Sequence, residues 1–318
     1  MFKAPLVSLL LASLTLPVFS QSITTFDVPG AQITTPVSIT PGGVIVGSYE
    51  IGNTTHAFVR YPDGSTVTLD PPGVVTRSSA AAVNAAGQVM GGYGDSSFLE
   101  HGFLWNTDGD YTIIDVGTGG TFLADMNPVG DICGSTGAGE GFLRRADGTV
   151  TTFSLGVSTS TIAINSSDQI IGSYFASNGT DQYAFVRDAD GTVSSFRIGM
   201  GGTFPHSINS AGVITGNYVG KDRFLHGFLR QPDGMIVSFT RHASSTFANA
   251  LNASGTVAGY YSAPSGKAHG FVRTPNSALI TIDVPEALGT TIADITDAGV
   301  VIGQYYDSAG DHGFIATK

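Results

Sequence analysis

A few residues of this chain carry acid–base chemistry at positions where a recurring pattern has something blander. His206 stands three residues before Asn209, a position that elsewhere holds Val, Ala or Ile. Asn249 occupies the same position before Asn252. Asp125 and Asp294 stand two before Asn127 and Thr296, where the pattern has Ser or Ala. His242 and Arg241 follow in a connecting segment. An imidazole among carboxyl groups is the equipment of general acid–base catalysis. His206, His242, Asp125 and Asp294 are therefore the candidate catalytic groups of an extracellular hydrolase or lyase. With Asn249 and Arg241 they make a polar cluster suited to a small ligand. Drift among small polar positions explains the same residues equally simply.

A second set repeats. Tyr49, Tyr93, Tyr174, Tyr218, Tyr261 and Tyr305 each close a Gly-x-Tyr, and Thr136 replaces the Tyr in the third copy. A phenol offers an apolar face and a polar tip, so such tyrosines are candidates for stacking on sugars. His56, His101, His226, His269 and His312 repeat as well. Metal ligands must converge within about 2.0–2.3 Å of one ion. Residues at one position of successive units around a ring, about 51° apart for seven units, do not converge. These histidines are read as structural, and no metal or cofactor is expected. The chain has no Gly-x-Ser-x-Gly elbow, His-Glu-x-x-His or phosphate loop.

The elements that hold these residues come from repetition. His-Ala-Phe or His-Gly-Phe recurs, with its Phe at 58, 103, 142, 185, 228, 271 and 314, spaced by 45, by 39 and then four times by 43. Upstream runs Ile-Asn-x-x-Gly-x-x-x-Gly-x-Tyr, as in Ile208-Asn209 to Tyr218. Downstream comes a turn such as Pro-Asp-Gly and then a β-prone run such as Met235 to Thr240. Asn-x-x-Gly and Asp-Gly suit tight turns with left-handed backbone angles. Each copy thus predicts a four-stranded antiparallel meander, with no helix signal. A period of about 40–45 residues with four strands is that of a propeller blade.

The seventh copy stops after its third strand, at His312 to Ile315, while Thr25-Phe26-Asp27-Val28-Pro29 matches the fourth strand Thr281-Ile282-Asp283-Val284-Pro285. The sequence therefore predicts an all-β fold, a seven-bladed β-propeller of four-stranded antiparallel blades, closed by the N-terminal strand completing the last blade. Such closure removes two exposed sheet edges. Residues 1–20 read as a secretory signal, with Lys3, an apolar run and a cleavage site near Ser20. Residues 21–318 then form a single domain, secreted, periplasmic or extracellular.

Composition bounds the partners. Lys+Arg number 14 against Asp+Glu 25, a net charge of −11, which suits no nucleic acid. One cysteine, Cys133, builds no disulfide. Gly and polar residues interrupt every apolar run after the signal, so no membrane span is expected. A monomer is expected.

With these residues in view, the chain resembles the extracellular bacterial repeats named HAF, after the tripeptide seen here as His56-Ala57-Phe58. The resemblance covers residues 21–318 and implies secretion and a propeller-like fold, but no activity or ligand. Glu140 and Tyr183 depart from the motif where His is expected, so a catalytic His would be missing from two repeats.

Recurring side chains receive structural readings. Arg60, Arg144, Arg187 and Arg230 precede turn aspartates Asp63, Asp147, Asp190 and Asp233 by three residues, which predicts local ion pairs. A hydroxyl six before the Asn position, Thr34, Ser78, Thr121, Thr159, Thr203, Thr246 or Thr290, predicts bonds to loop backbone. The meander puts the short turns on one face and the variable connections, such as Tyr93 to His101, on the other. Variable loops on a rigid scaffold are where binding concentrates. The leading expectation is a binding scaffold for carbohydrate or a secreted or cell-surface protein on that loop face. The rivals are the channel-mouth hydrolase or lyase and a purely structural envelope protein.

Overall fold

The computed structural model describes residues 22–73, 77–241 and 245–317. The expected export signal and His242 lie outside the described residues. Within them the chain forms 28 strands and no helix, so no helix is long and apolar enough to cross a membrane.

Strands follow one another as antiparallel meanders. Four separate four-stranded sheets begin at Thr121, Ser158, Thr203 and Thr246. The other twelve strands form one sheet, in which successive meanders are joined by single parallel bridges, Ile33 to Asp311 and Thr55 to Arg77. The first strand, Ser22–Phe26, pairs antiparallel with the last, Asp311–Thr317, from Ser22 opposite Thr317 to Phe26 opposite Gly313. The leading segment thus completes the terminal meander.

The tripeptide Phe anchors each unit. Phe58, Phe103, Phe142, Phe185, Phe228, Phe271 and Phe314 are all fully buried. Burying one such side chain is worth about 1.5–3 kcal/mol. The glycine before the Gly-x-Tyr tyrosine is required by close approach. A Cβ on Gly303 would lie 2.0 Å from the Thr291 carbonyl oxygen of the neighbouring strand.

Each unit's first strand carries a bulge of one residue, at Val37, Ala81, Ala124, Ile162, His206, Asn249 and Ala293. A bulge re-aims a side chain and sharpens strand twist.

The repeated hydroxyls hold the crossings between units, as expected. Thr203 Oγ1 accepts from Ile198 N at 2.7 Å, Thr34 Oγ1 from Val28 N at 3.2 Å, and Thr290 Oγ1 from Val284 N at 3.1 Å. Ser78 Oγ accepts from Ala57 N and donates to Asp70. These hydroxyls are buried, and their bonds satisfy main-chain amides of the crossings and, for Ser78, of the strand Thr54–Arg60.

The expected Arg–Asp pairs are a correction. Among the described residues, none of Arg60, Arg144, Arg187 or Arg230 forms an ion pair with its turn aspartate. The turn itself takes the carboxylate: Asp63 accepts from Ser65 N at 2.9 Å and Asp147 from Thr149 N at 2.8 Å. Three of these guanidiniums, with Arg273, instead lie over a Phe of the preceding unit's outer strand. Arg60 sits 4.6 Å from the Phe26 ring centre, Arg187 4.9 Å from Phe153, Arg230 4.9 Å from Phe196, and Arg273 4.8 Å from Phe239. The bond to an amide two residues on is local and cheap to form. That leaves the guanidinium free to stack on the ring.

Candidate functional site

On the loop face, each Gly-x-Tyr tyrosine stacks on the first residue of its own tripeptide. Ring centres are 5.3 Å apart for Tyr49 and His56, 5.0 Å for Tyr93 and His101, 5.4 Å for Tyr218 and His226, 5.2 Å for Tyr261 and His269, and 5.0 Å for Tyr305 and His312. Tyr174 stacks on Tyr183 at 5.6 Å, so Tyr serves where His is missing because the position needs a flat ring. One face of every candidate tyrosine is therefore occupied within the protein. Tyr49, Tyr93 and Tyr261 are buried, and Tyr174, Tyr218 and Tyr305 half-buried.

The histidines are pinned by carboxylates. His56 Nδ1 lies 2.9 Å from Asp70, His269 Nδ1 2.7 Å from Asp283, and His226 Nε2 2.9 Å from Asp222. Two histidines sit between two carboxylates each. His101 meets Asp115 at 2.7 Å and Asp95 at 3.3 Å, and the bond to Asp115 is the main force lifting its pKa above the usual range. His312 meets Asp27 at 3.0 Å and Asp307 at 3.3 Å. Burial pulls its pKa down, and the two carboxylates together outweigh that pull.

The inner strands place the other candidates. Asp125 Oδ2 accepts from Ile164 N of the next unit at 3.0 Å, and Oδ1 from Met126 N at 2.8 Å. Asp294 repeats this geometry, with Oδ2 accepting from Ile39 N at 3.0 Å and Oδ1 from Ile295 N at 2.8 Å. Each carboxyl thus staples its unit to the following inner strand. Burial pushes Asp125 up to about 7 against the pull of its two amide bonds, and the like charge of Asp294 adds to the rise. Burial pushes Asp294 up to about 6.

His206 occupies a bulge. Its side chain is exposed to water, yet the surrounding protein holds its imidazole below the usual range. It makes no hydrogen bond to the described residues, and no such bond joins it to Asp125 or Asp294. Asn249 fills the next unit's bulge and donates to Ile292 O at 2.8 Å, another staple between units. The Arg241 guanidinium lies 5.2 Å from the Tyr261 ring centre.

The third unit differs from the rest. Thr136 and Glu140 remove both members of the stacked pair, and the connection shrinks to a tight turn with Thr136 N donating to Glu140 O at 2.8 Å. A cavity of about 630 Å³ opens beside it, lined by Phe122, Ser135, Gly137 and the inner strand of the fourth unit from Ser158 to Thr161. Sequence reasoning passed over Phe122 and this cavity. The signals were the 39-residue spacing and the joint loss of Tyr and His.

The exposed phenylalanines gather on the same face. Phe98 is 82 % exposed, Phe122 48 %, Phe175 40 % and Phe224 39 %, and no other described Phe is exposed. All four stand in, or at the strand ends beside, the variable connections of successive units.

No protein-family model matches the chain, and no curated protein matches it. Solved structures do. A catalytically inactive virginiamycin B lyase from Staphylococcus aureus, solved with quinupristin, is 13 % identical with a TM-score of 0.62 over 94 % of this chain and 99 % of that one. The β-propeller domain of the Trilobed protease from Pyrococcus furiosus is 9 % identical, with a TM-score of 0.64 over 90 % of this chain and 95 % of that one. The Cps50 (Swd1) β-propeller domain from Myceliophteria thermophila is 11 % identical, with a TM-score of 0.63 over 94 % and 99 %. At these identities the likeness shows the fold alone: the chain is a β-propeller.

Proposed function

We propose that this chain is a secreted, seven-bladed propeller of the HAF-repeat type that acts as a binding scaffold, taking an extracellular carbohydrate or protein on its loop face. Seven blades are supported by the order of the meanders and by the inner strands. Each inner strand lies beside the next along the chain, and the last, Gly289–Ile295, lies beside the first, Ile33–Ile39.

Confinement of the exposed Phe residues to the loop face carries the binding reading. Aromatic side chains are enriched on surfaces where partners bind. Capture of secreted proteins and glycans by the wild-type chain, compared with Phe98→Ser and Phe224→Ser, tests it. Loss of capture in both variants is the expected result. Undiminished capture would remove the loop face from the proposal.

The inner-strand residues support a second reading, a hydrolase or lyase. Burial lifts the Asp125 and Asp294 carboxyls toward neutrality, His206 is reached by water, and one fold neighbour is a lyase. Against it stands the use of both carboxyls as staples between units. Turnover of polysaccharides or lactones that disappears with His206→Ala would favour it. Turnover unaffected by that change would exclude His206.

A further inference from the structure

We propose that the cavity of the third unit is a subsite for a neutral sugar residue, stacked on Phe122 and held by serine hydroxyls. The inference rests on the loop-face reading and names its ligand class.

The cavity exists because the repeat fails there. In six units the corner between the second and third strands is filled by two stacked rings, and in the third it holds Thr136 and Glu140. The freed space of about 630 Å³ falls within the range of roughly 300–1,000 Å³ usual for small-ligand sites.

Phe122 is the aromatic platform. The fifth and sixth units also have Phe at this strand position, and both are covered. Phe247 stacks flat on Tyr260, ring centres 4.3 Å apart and planes 9° apart, and Phe204 is half-buried. The residue across from Phe122 is Ser135, too small to cover a ring, so Phe122 stays exposed. An uncovered ring at a cavity edge offers its face to the C–H face of a pyranose.

The polar lining matches sugar hydroxyls and nothing charged. No Asp, Glu, Lys, Arg or His lines the cavity. Ser158 and Ser160 are exposed, and their hydroxyls make no hydrogen bond within the described protein. Ser135 Oγ accepts from Thr161 N at 2.9 Å and meets Thr161 Oγ1 at 3.5 Å, so the free hydroxyls of the rim are those of Ser158 and Ser160. A hydroxyl both donates and accepts, as each sugar hydroxyl does, so the rim can exchange bonds with a pyranose without leaving a buried charge unpaired. An anionic glycan would find no cation there, in a chain of net charge −11.

An array of neutral and anionic glycans, probed with the whole protein at low and high salt, tests the subsite. Binding to neutral glycans, insensitive to salt and weakened at least tenfold by Phe122→Ala with an unchanged melting temperature, is expected. Thr136→Tyr with Glu140→His, which restores the repeat's ring pair, should close the cavity and abolish binding. Binding to anionic glycans only, or neutral binding that survives Phe122→Ala, would overturn the subsite. So would a blank array, and if proteins were still captured in a Phe98-dependent way the loop-face reading would stand without it.

Discussion

The stack of Arg60 on Phe26 crosses the junction between the two ends of the chain, so its removal probes both the stacking and the junction. The Phe26 ring is half-buried and lies against Gly313, where an added Cβ would sit 2.7 Å from it. Truncating a fully buried Phe costs about 3–5 kcal/mol, so half-burial puts Phe26→Ala at roughly 1.5–2.5 kcal/mol. A guanidinium 4.6 Å above the ring adds about 0.5–1 kcal/mol at a site this open to solvent. The expected total is ~2–3.5 kcal/mol, read as a lower urea midpoint at unchanged slope. A double-mutant cycle with Arg60→Ala should return a coupling of about 0.5–1 kcal/mol. Phe239 and Arg273, 4.8 Å apart inside the chain, are the control and should couple at least as strongly, because Arg273 is buried. Only the junction variant should also speed amide exchange along Asp311–Thr317, because Phe26→Ala loosens a strand that no turn joins to its partner. A coupling indistinguishable from zero at Phe26, with normal coupling at Phe239, would refute this account of the junction.

Three further outcomes are expected. In NMR titrations His101 and His312 should titrate above about 6.5. Their folded values are raised, so their stabilisation is full below the unfolded value and lost as pH climbs through the folded one; a His101 pKa unmoved by Asp115→Asn would contradict the two-carboxylate arrangement. Asp125 and Asp294 are also raised, so the fold favours their protonated forms and stability should decline as pH rises from the unfolded carboxyl value to about 7, with Asp125→Asn flattening that slope in denaturant melts. Gly303→Ala should cost more than about 2 kcal/mol or prevent folding, since its Cβ would meet a backbone oxygen, and a near-neutral melting shift would show that the strands can separate.

Much of the fold was legible because each unit repeats its own physics. The Phe of the tripeptide, the hydroxyl of the crossing and the matching chain ends are all local patterns seen several times over. The Arg stacks escaped because the nearest opposite charge in sequence, the turn aspartate, is not the nearest partner in space. Their signal was a fixed spacing, since Phe153 and Arg187, Phe196 and Arg230, and Phe239 and Arg273 all stand 34 apart. The tyrosines read as a free row of rings because sequence does not show which face of a ring is already covered. Their replacement together with His in the third unit was the clue. Phe122 was hidden by a strand position that varies among Thr, Ser and Phe, so no pattern marked it as out of place.

Pairing Ser22–Phe26 with Asp311–Thr317 also sets an order of events. The strand Ser22–Phe26 waits for Asp311–Thr317, and the flank of the terminal sheet stays open until the two meet. Contacts this distant along the chain close slowly. Once they close, Ser22 and Thr317 lie side by side, so a short linker could join the two strands and the chain be opened at any tight turn instead. The seam can then be moved from one meander to another.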